Sequence, residues 1–429
     1  MLAENVETVP MTHEAQRASF FRQSGWLMIA NIGGGVLMWA VHLLNKAIPA
    51  GEYGNFGFFL AVVMLLPAMP LQMIFTQQTA RALAIRRQGE LASVVRAFTG
   101  GAFVLWLIGA VVVLIFQRAI VEHWHMSNPA GLWMTLPVVL LSLWLPMVWG
   151  LLQGQQNFLW LGWSMLANAI GRFSLAAIAV LLLHTYAAGM MAGVLVGIIL
   201  SASIGVWQTR AIWVTRPESF DWRALLQQIV PLLLAFLGFQ ILFSADTIFI
   251  KTYFNENEAG FYVSAGTLSR ALMWLVLPLA SVMFPRLVHS AATSEKSNLM
   301  GLVLAGTGIL AVVGAAGLSF LGPWIVRFIY KPEFVQVASS ILPWYASAMV
   351  PLSLANVLLN NLLARPDSKW GLAVSVLLLA LIYMFALTQF HTSLVAVLKT
   401  VGAFNLLLLA VTAWFSWRSK TGVTTGATA

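Results

Sequence analysis

Twelve runs of about twenty predominantly apolar residues dominate the chain, separated by short polar and basic stretches. They lie near residues 25–44, 56–75, 97–116, 132–151, 159–182, 188–206, 229–250, 261–283, 301–321, 339–359, 371–390 and 394–415. A helix rises about 1.5 Å per residue, so each run is long enough to cross about 30 Å of hydrocarbon. Lipid offers no hydrogen bonds to an open backbone, and a single apolar run satisfies its own peptide groups there only as a helix. The pattern therefore predicts an all-α polytopic membrane protein with twelve transmembrane helices. Composition agrees: 60% of the 429 residues are hydrophobic and 9% are charged, against about 25% charged in soluble domains. The first 24 residues carry five charges and no apolar core, so the first run is expected to be a span rather than a cleavable leader.

An even number of spans puts both termini on one side, and the Lys/Arg bias of the connecting segments says which. With cytoplasmic termini, fifteen of the 23 basic residues fall in inner segments, among them Arg81, Arg86, Arg87, Arg96, Arg210, Arg216 and Arg223. Five fall in outer loops: Lys46, Arg118, Lys251, Arg327 and Lys331. The net charge of +9 is thus read as a topology signal, and nucleic acid drops out as a partner because the chain has no block of like charges. Zero cysteines exclude disulfide scaffolds and thiol chemistry.

The halves resemble each other at a shift of about 206 residues. Glu52-Tyr53-Gly54 before the second span answers to Glu258-Ala259-Gly260 before the eighth, and Phe116-Gln117-Arg118-Ala119-Ile120 to Ile325-Val326-Arg327-Phe328-Ile329. Six helices per half preserve orientation on duplication, giving two parallel six-helix lobes with a site near the midplane between them. The expected organisation is a cytoplasmic segment 1–24, an N-lobe 25–206, a cytoplasmic linker 207–228, a C-lobe 229–415 and a cytoplasmic tail 416–429. Pro67 and Pro70, Pro137 and Pro146, Pro278, and Pro343 and Pro351 fall inside equivalent spans of the two halves. There they act either as bending hinges or as prolines that membrane helices simply tolerate.

Three segments then carry a resemblance. Ile48-Pro49-Ala50-Gly51-Glu52-Tyr53-Gly54, Leu152-Gln153-Gly154-Gln155-Gln156-Asn157-Phe158, and Ala245-Asp246 through Glu258-Ala259-Gly260-Phe261-Tyr262 resemble the polysaccharide transporter, or lipid-linked oligosaccharide flippase, family of the multidrug/oligosaccharidyl-lipid/polysaccharide exporter superfamily. The resemblance covers nearly the whole chain. It implies two lobes around a cationic cavity that carry a polyprenyl-pyrophosphate-linked oligosaccharide across the bacterial inner membrane by alternating access. It also implies a transporter rather than an enzyme, acting beside a polysaccharide polymerase and glycosyltransferases, for surface or extracellular polysaccharide such as O-antigen, lipopolysaccharide or exopolysaccharide.

Four charges fall within the predicted spans, where an unpaired charge costs a few kcal/mol and faces a partner or a wet cavity. Arg172 lies about 20 Å from the inner end of its helix and Arg270 about 14 Å from the outer end of its own. Both are near the midplane and they come from different halves, which is where a pyrophosphate passing between lobes would meet them. The planar guanidinium fork suits phosphate oxygens. Arg270 has a second reading, an ion pair with Asp246, which lies about 8 Å higher. Asp246 is the sole carboxylate in any predicted span and hence the leading site for Na+ or H+ coupling, if a cation gradient drives transport. Lys399, about 8 Å deep, is close enough to the outer surface to snorkel. The first span carries Asn31, His42 and a Gly33-Gly34-Gly35 run but no acid, unlike many members of the multidrug branch. His123-Trp124-His125 lacks a third metal ligand, and no Walker sequence or nucleophile elbow appears. No cofactor or metal is expected. The competing functions are a cation-coupled exporter of amphipathic drugs and a membrane glycan polymerase or ligase, the latter disfavoured by outer loops of at most about 17 residues.

Overall fold

The computed structural model describes residues 13–273 apart from 125 and 127, residues 299–364, and residues 369–421. All regular elements among them are helical. They are α1 (His13–Ala40), followed by a 3₁₀ turn (Val41–Ala47), α2 (Ala50–Met64), α3 (Ala68–Ala84), α4 (Gln88–Ile115), the short α5 (Gln117–His123), α6 (Ala130–Gly154), α7 (Phe158–Leu181), α8 (Tyr186–Gln208) and the short α9 (Arg210–Val214). The second half holds α10 (Trp222–Tyr253), α11 (256–273), α12 (Leu299–Ile329), α13 (Pro332–Ala364), α14 (Trp370–Gln389) and α15 (Leu394–Thr421). Among the described residues eleven helical segments are long and apolar enough to span a bilayer. The expected span at 261–283 begins as α11, and its remainder, with Pro278, lies outside the described residues. His125 of the His-Trp-His triplet lies outside them too.

The second expected span is two helices rather than one bent helix. Pro67 and Pro70 each lack a backbone N–H, and the residue before a proline resists the α conformation. Pro67 takes ψ 59, and the Ala68 amide turns to Leu66 O, leaving Met64 O free to accept Gln240 Nε2 of α10 at 2.6 Å. The prolines of α6 (Pro137, Pro146) and α13 (Pro343, Pro351) stay inside continuous helices, as do Pro231 in α10 and Pro323 in α12.

Each lobe is knitted by glycine approaches, which are what hold helices together where lipid removes the hydrophobic incentive. In the N-lobe α7 packs along α8 and against α1, and α6 packs against α3 and α8. A Cβ on Gly193 would meet Arg172 O at 2.6 Å, and one on Gly150 would meet Gln72 O at 2.7 Å. The turn Leu152–Phe158 has a structural explanation. Gly154 lies against α3, where an added Cβ would come 2.7 Å from Thr76 O. Gln153 Oε1 accepts Gln72 Nε2 (2.9 Å) and Thr76 Oγ1 (3.3 Å), Gln156 closes the turn at φ 57, and Asn157 Oδ1 caps α7 by accepting Trp160 N. In the C-lobe α13 packs between α12 and α15, and α14 packs on α10 and α15.

The lobes meet along α2 and α11 by their own repeat equivalents. A Cβ on Gly54 would sit 2.9 Å from Gly260 N, and Gly57 lies against Val263; both pairs are separated by the 206-residue shift. A residue that touches its own copy lies next to the symmetry axis, so the pseudo-twofold axis runs through this crossing. Around it Lys331 Nζ donates to Ile48 O at 2.8 Å, Trp124 Nε1 donates to Thr252 Oγ1 at 2.9 Å, and Lys46 Nζ lies 5.6 Å from the Phe328 ring centre. All these contacts belong to outer helix ends by the charge-derived orientation, so the outer side of the lobe interface is closed. Lys251, expected in an outer loop, instead belongs to α10 and is 1% exposed, with Nζ 3.2 Å from Glu256 Oε1. The helix runs on past the predicted span end because an acid waits there to pair the ammonium.

The crossing tolerates no side chain at Gly260, whose Cβ would meet the Ala50 backbone. Overpacking of this kind costs about 1–3 kcal/mol, so Gly260→Val is expected to lower cross-linking of a Lys46→Cys/Phe328→Cys pair about fivefold or more. The cysteine-free chain makes that measurement clean. Gly308→Ala, whose Cβ meets only Leu354 Cδ2 at 3.7 Å, should leave the yield unchanged.

Candidate functional site

Immediately below the outer seam the lobes enclose a cavity of about 110 Å³. The N-lobe contributes Trp39 and His42 from the end of α1 and its 3₁₀ turn, together with the face of α2 that carries Gly57 and Met64; the C-lobe contributes Phe243 and Thr247 from α10 and Thr267 and Arg270 from α11. The absence of a side chain at Gly57 lets α2 lie close to α11 at this level. Two aromatic rings, two hydroxyls, one imidazole and one guanidinium therefore face a largely apolar chamber.

Arg270 is fixed on three sides. Nη2 donates to Asp246 Oδ1 at 2.7 Å and Thr247 Oγ1 at 3.0 Å, and Nε donates to Phe243 O at 3.1 Å. The rings of Phe243 and Tyr345 lie 5.4 and 5.5 Å from Cζ, at cation–π distance. Nη1 is the nitrogen these bonds leave over, on a side chain that lines the cavity and is 14% exposed. Asp246, 1% exposed, accepts on Oδ2 from Tyr262 at 2.7 Å and from Tyr345. Of the two readings open for Arg270 and Asp246, the geometry is that of the ion pair. Three donors occupy a carboxylate that offers about four acceptor positions, and one of the donors already carries the compensating charge.

The remaining candidates are not brought to this point. Arg172 is buried in the N-lobe interior at 9% exposure, its Nε has no partner, and it meets no carboxylate among the described residues. It does not line the cavity; its electrostatic neighbour His42 does. Lys399 is exposed on α15 with Nζ 5.1 Å from the Trp344 ring centre, an outer-end cation on an interfacial aromatic. Asn31 is exposed on α1 and away from the cavity lining. No group of three metal-ligating side chains occurs among the described residues.

Sequence reasoning missed the tyrosines. Five of the seven in the chain, Tyr53, Tyr262, Tyr330, Tyr345 and Tyr383, are fully buried, although membrane tyrosines favour the interfaces. Tyr345 and Tyr383, well inside apolar runs, were the available signal, since a buried phenol needs a partner; Tyr53, Tyr262 and Tyr330 lie at or beyond the ends of runs and gave none. Two of them serve Asp246, and Tyr53 OH lies 2.8 Å from His42 Nδ1 and 3.4 Å from Tyr330 OH.

Comparison with solved structures shows the same fold. An inward-facing multidrug resistance MATE family transporter of the MOP superfamily superposes with a TM-score of 0.71 at 14% identity, covering 92% of this chain and 96% of that chain. The outward-facing conformation of such a transporter gives 0.64 at 12% identity, with coverage of 95% and 96%. The lipid II flippase MurJ in an inward closed conformation gives 0.66 at 15% identity, with coverage of 90% and 87%. No curated protein matches the chain. The family described as "Polysaccharide biosynthesis protein" matches residues 20–291, more than half of the chain, and the protein therefore belongs to that family.

Proposed function

We propose that the protein is a flippase that carries a polyprenyl-pyrophosphate-linked oligosaccharide across the bacterial inner membrane by alternating access, for surface or extracellular polysaccharide synthesis. The observation that carries this reading is Arg270, which lines the inter-lobe cavity and is held by Asp246, Thr247 and the Phe243 carbonyl through Nη2 and Nε, bonds that leave Nη1 over. A fixed, partly desolvated guanidinium is a phosphate ligand. At about 110 Å³ the cavity is small beside the roughly 300–1,000 Å³ of ordinary ligand pockets, which suits a headgroup better than a whole oligosaccharide. The glycan must occupy space that opens toward the inner side, opposite the closed outer seam. A polysaccharide polymerase and glycosyltransferases are the expected partners in such a pathway.

In this reading Asp246 is the anchor of Arg270 rather than a coupling site, and Arg172 acts from behind His42 as a source of positive potential. Export of amphipathic drugs is the second reading. The Trp39 and Phe243 rings in the cavity and the likeness to a multidrug resistance transporter favour it, and Arg270 opposes it for cationic drugs.

Deleting the gene is expected to raise carrier-linked glycan and remove surface polysaccharide, measured together by mass spectrometry of lipid extracts and glycan staining. Unchanged lipid-linked glycan with heightened drug susceptibility would move the assignment to the exporter. Arg270→Lys keeps a cation beside Asp246 but loses the fork, so export should fall about tenfold or more at near-normal protein level. Full export by this variant would remove the proposed headgroup contact. Arg270→Ala strands a buried carboxylate at a cost of about 3–5 kcal/mol, and membrane abundance should drop with it. The double variant Asp246→Leu/Arg270→Met should recover abundance without recovering export.

A further inference from the structure

The cavity and the outer seam are joined by a line of hydrogen-bonding groups that crosses from one lobe to the other. His42 lines the cavity, and its Nδ1 lies 2.8 Å from Tyr53 OH. Tyr53, on α2 one residue before the Gly54–Gly260 crossing, lies 3.4 Å from the OH of Tyr330, the residue that follows α12, and Tyr330 OH donates to Ser264 O of α11 at 3.3 Å. The Thr267 hydroxyl, also on the cavity wall, donates to Val263 O at 2.9 Å. A carbonyl only accepts, so the line has a direction. Tyr330 donates to Ser264 O, Tyr53 donates to Tyr330, and His42 donates its Nδ1–H to Tyr53. That assignment places the proton of a neutral ring on Nδ1 and leaves Nε2 as an acceptor.

We propose that His42 is the N-lobe ligand of the headgroup seated by Arg270, and that its tautomer reports occupancy of the cavity to the outer seam. The proposal rests on the anionic-headgroup reading above. A phosphate oxygen at Nε2 requires a donor there. The ring then loses its proton from Nδ1 and gains one at Nε2 by exchange with cavity water, with no net proton taken up. Nδ1 becomes an acceptor, the Tyr53 hydroxyl turns to donate to it, and Tyr330 loses the hydrogen bond that reached it from the other lobe. An occupied cavity thereby weakens the closed outer seam at the residue beside the symmetry axis, which is the sequence of events outward release needs. An empty cavity restores the Tyr53–Tyr330 contact.

The test uses the full chain in proteoliposomes, with the Lys46→Cys/Phe328→Cys pair reporting the seam and farnesyl pyrophosphate as the probe, its binding measured in parallel with a radiolabel. In the otherwise unaltered chain the probe should bind and lower the cross-link yield about threefold or more. With Tyr53→Phe, and independently with Tyr330→Phe in the other lobe, the probe should bind within about threefold of that affinity while the yield no longer responds. His42→Ala should weaken probe binding about tenfold, the scale of one charge-assisted hydrogen bond. A probe response preserved in both phenylalanine variants, or undiminished binding by His42→Ala, overturns the relay. Failure of the unaltered chain to bind the probe overturns the headgroup reading itself, a result the two phenylalanine variants cannot mimic. Inorganic pyrophosphate acting as well as farnesyl pyrophosphate supports the relay and assigns the site to free pyrophosphate rather than to a lipid headgroup.

Discussion

Inside a bilayer a charge has no water to fall back on, and the C-lobe is organised around that constraint. Asp246 and Arg270 cancel one another across α10 and α11 at 2.7 Å, but charge cancellation alone leaves lone pairs and N–H groups wanting partners. Tyr262, Tyr345, Thr247 and the Phe243 carbonyl supply them. The pair thereby ties α10, α11 and α13 into one unit whose inner face is apolar and whose cavity face shows part of a guanidinium. A structural ion pair and a ligand-binding cation are usually treated as alternatives. Here the same arginine can be both, because its fork has more donors than the carboxylate and carbonyl use.

The N-lobe solves the problem differently. Arg172 meets no acid among the described residues, and its backbone lies against α8 at glycine distance, with Gly193 beside Arg172 O. The two lobes share a helix plan and a crossing of like residues on the axis, yet their polar interiors diverge among the described residues: a phenol-caged ion pair on one side, a buried guanidinium that meets no carboxylate on the other. The cavity lies where these unlike interiors meet, and duplication followed by divergence of buried polar residues is enough to produce an asymmetric site on a symmetric frame.

Much of this was legible in the chain itself. Span number and order follow from apolar runs alone, and the shift of about 206 residues already paired Gly54 with Gly260, which the fold brings into contact. The rise per residue placed Asp246 within reach of Arg270. What the sequence withheld was azimuth and exact helix length. Depth along an axis cannot say that Arg172 turns into the lobe while His42, on a 3₁₀ turn, faces the cavity. Nor could hydropathy place Lys251 inside α10, because its tolerance depends on Glu256 reaching it from α11. At Pro67 the signal was present but its outcome was not, since two prolines three residues apart break the helix where either alone would bend it.

The closed outer seam and the small cavity bear on each other. At the seam the backbones touch at glycine and the phenols and lysines cross between lobes, so separation there exposes polar groups that must find new partners. Met64 O, freed by the break between α2 and α3 and held by Gln240 of the other lobe, is in the same position near the midplane. Each of these bonds is worth only about 0.5–1.5 kcal/mol net, so it is their number and placement that hold the seam closed. A ligand needs differential contact with the two states of only a few kcal/mol to shift such a balance. In the proposed reading, a headgroup bridging Arg270 of one lobe and His42 of the other would supply it, because the two residues belong to different lobes.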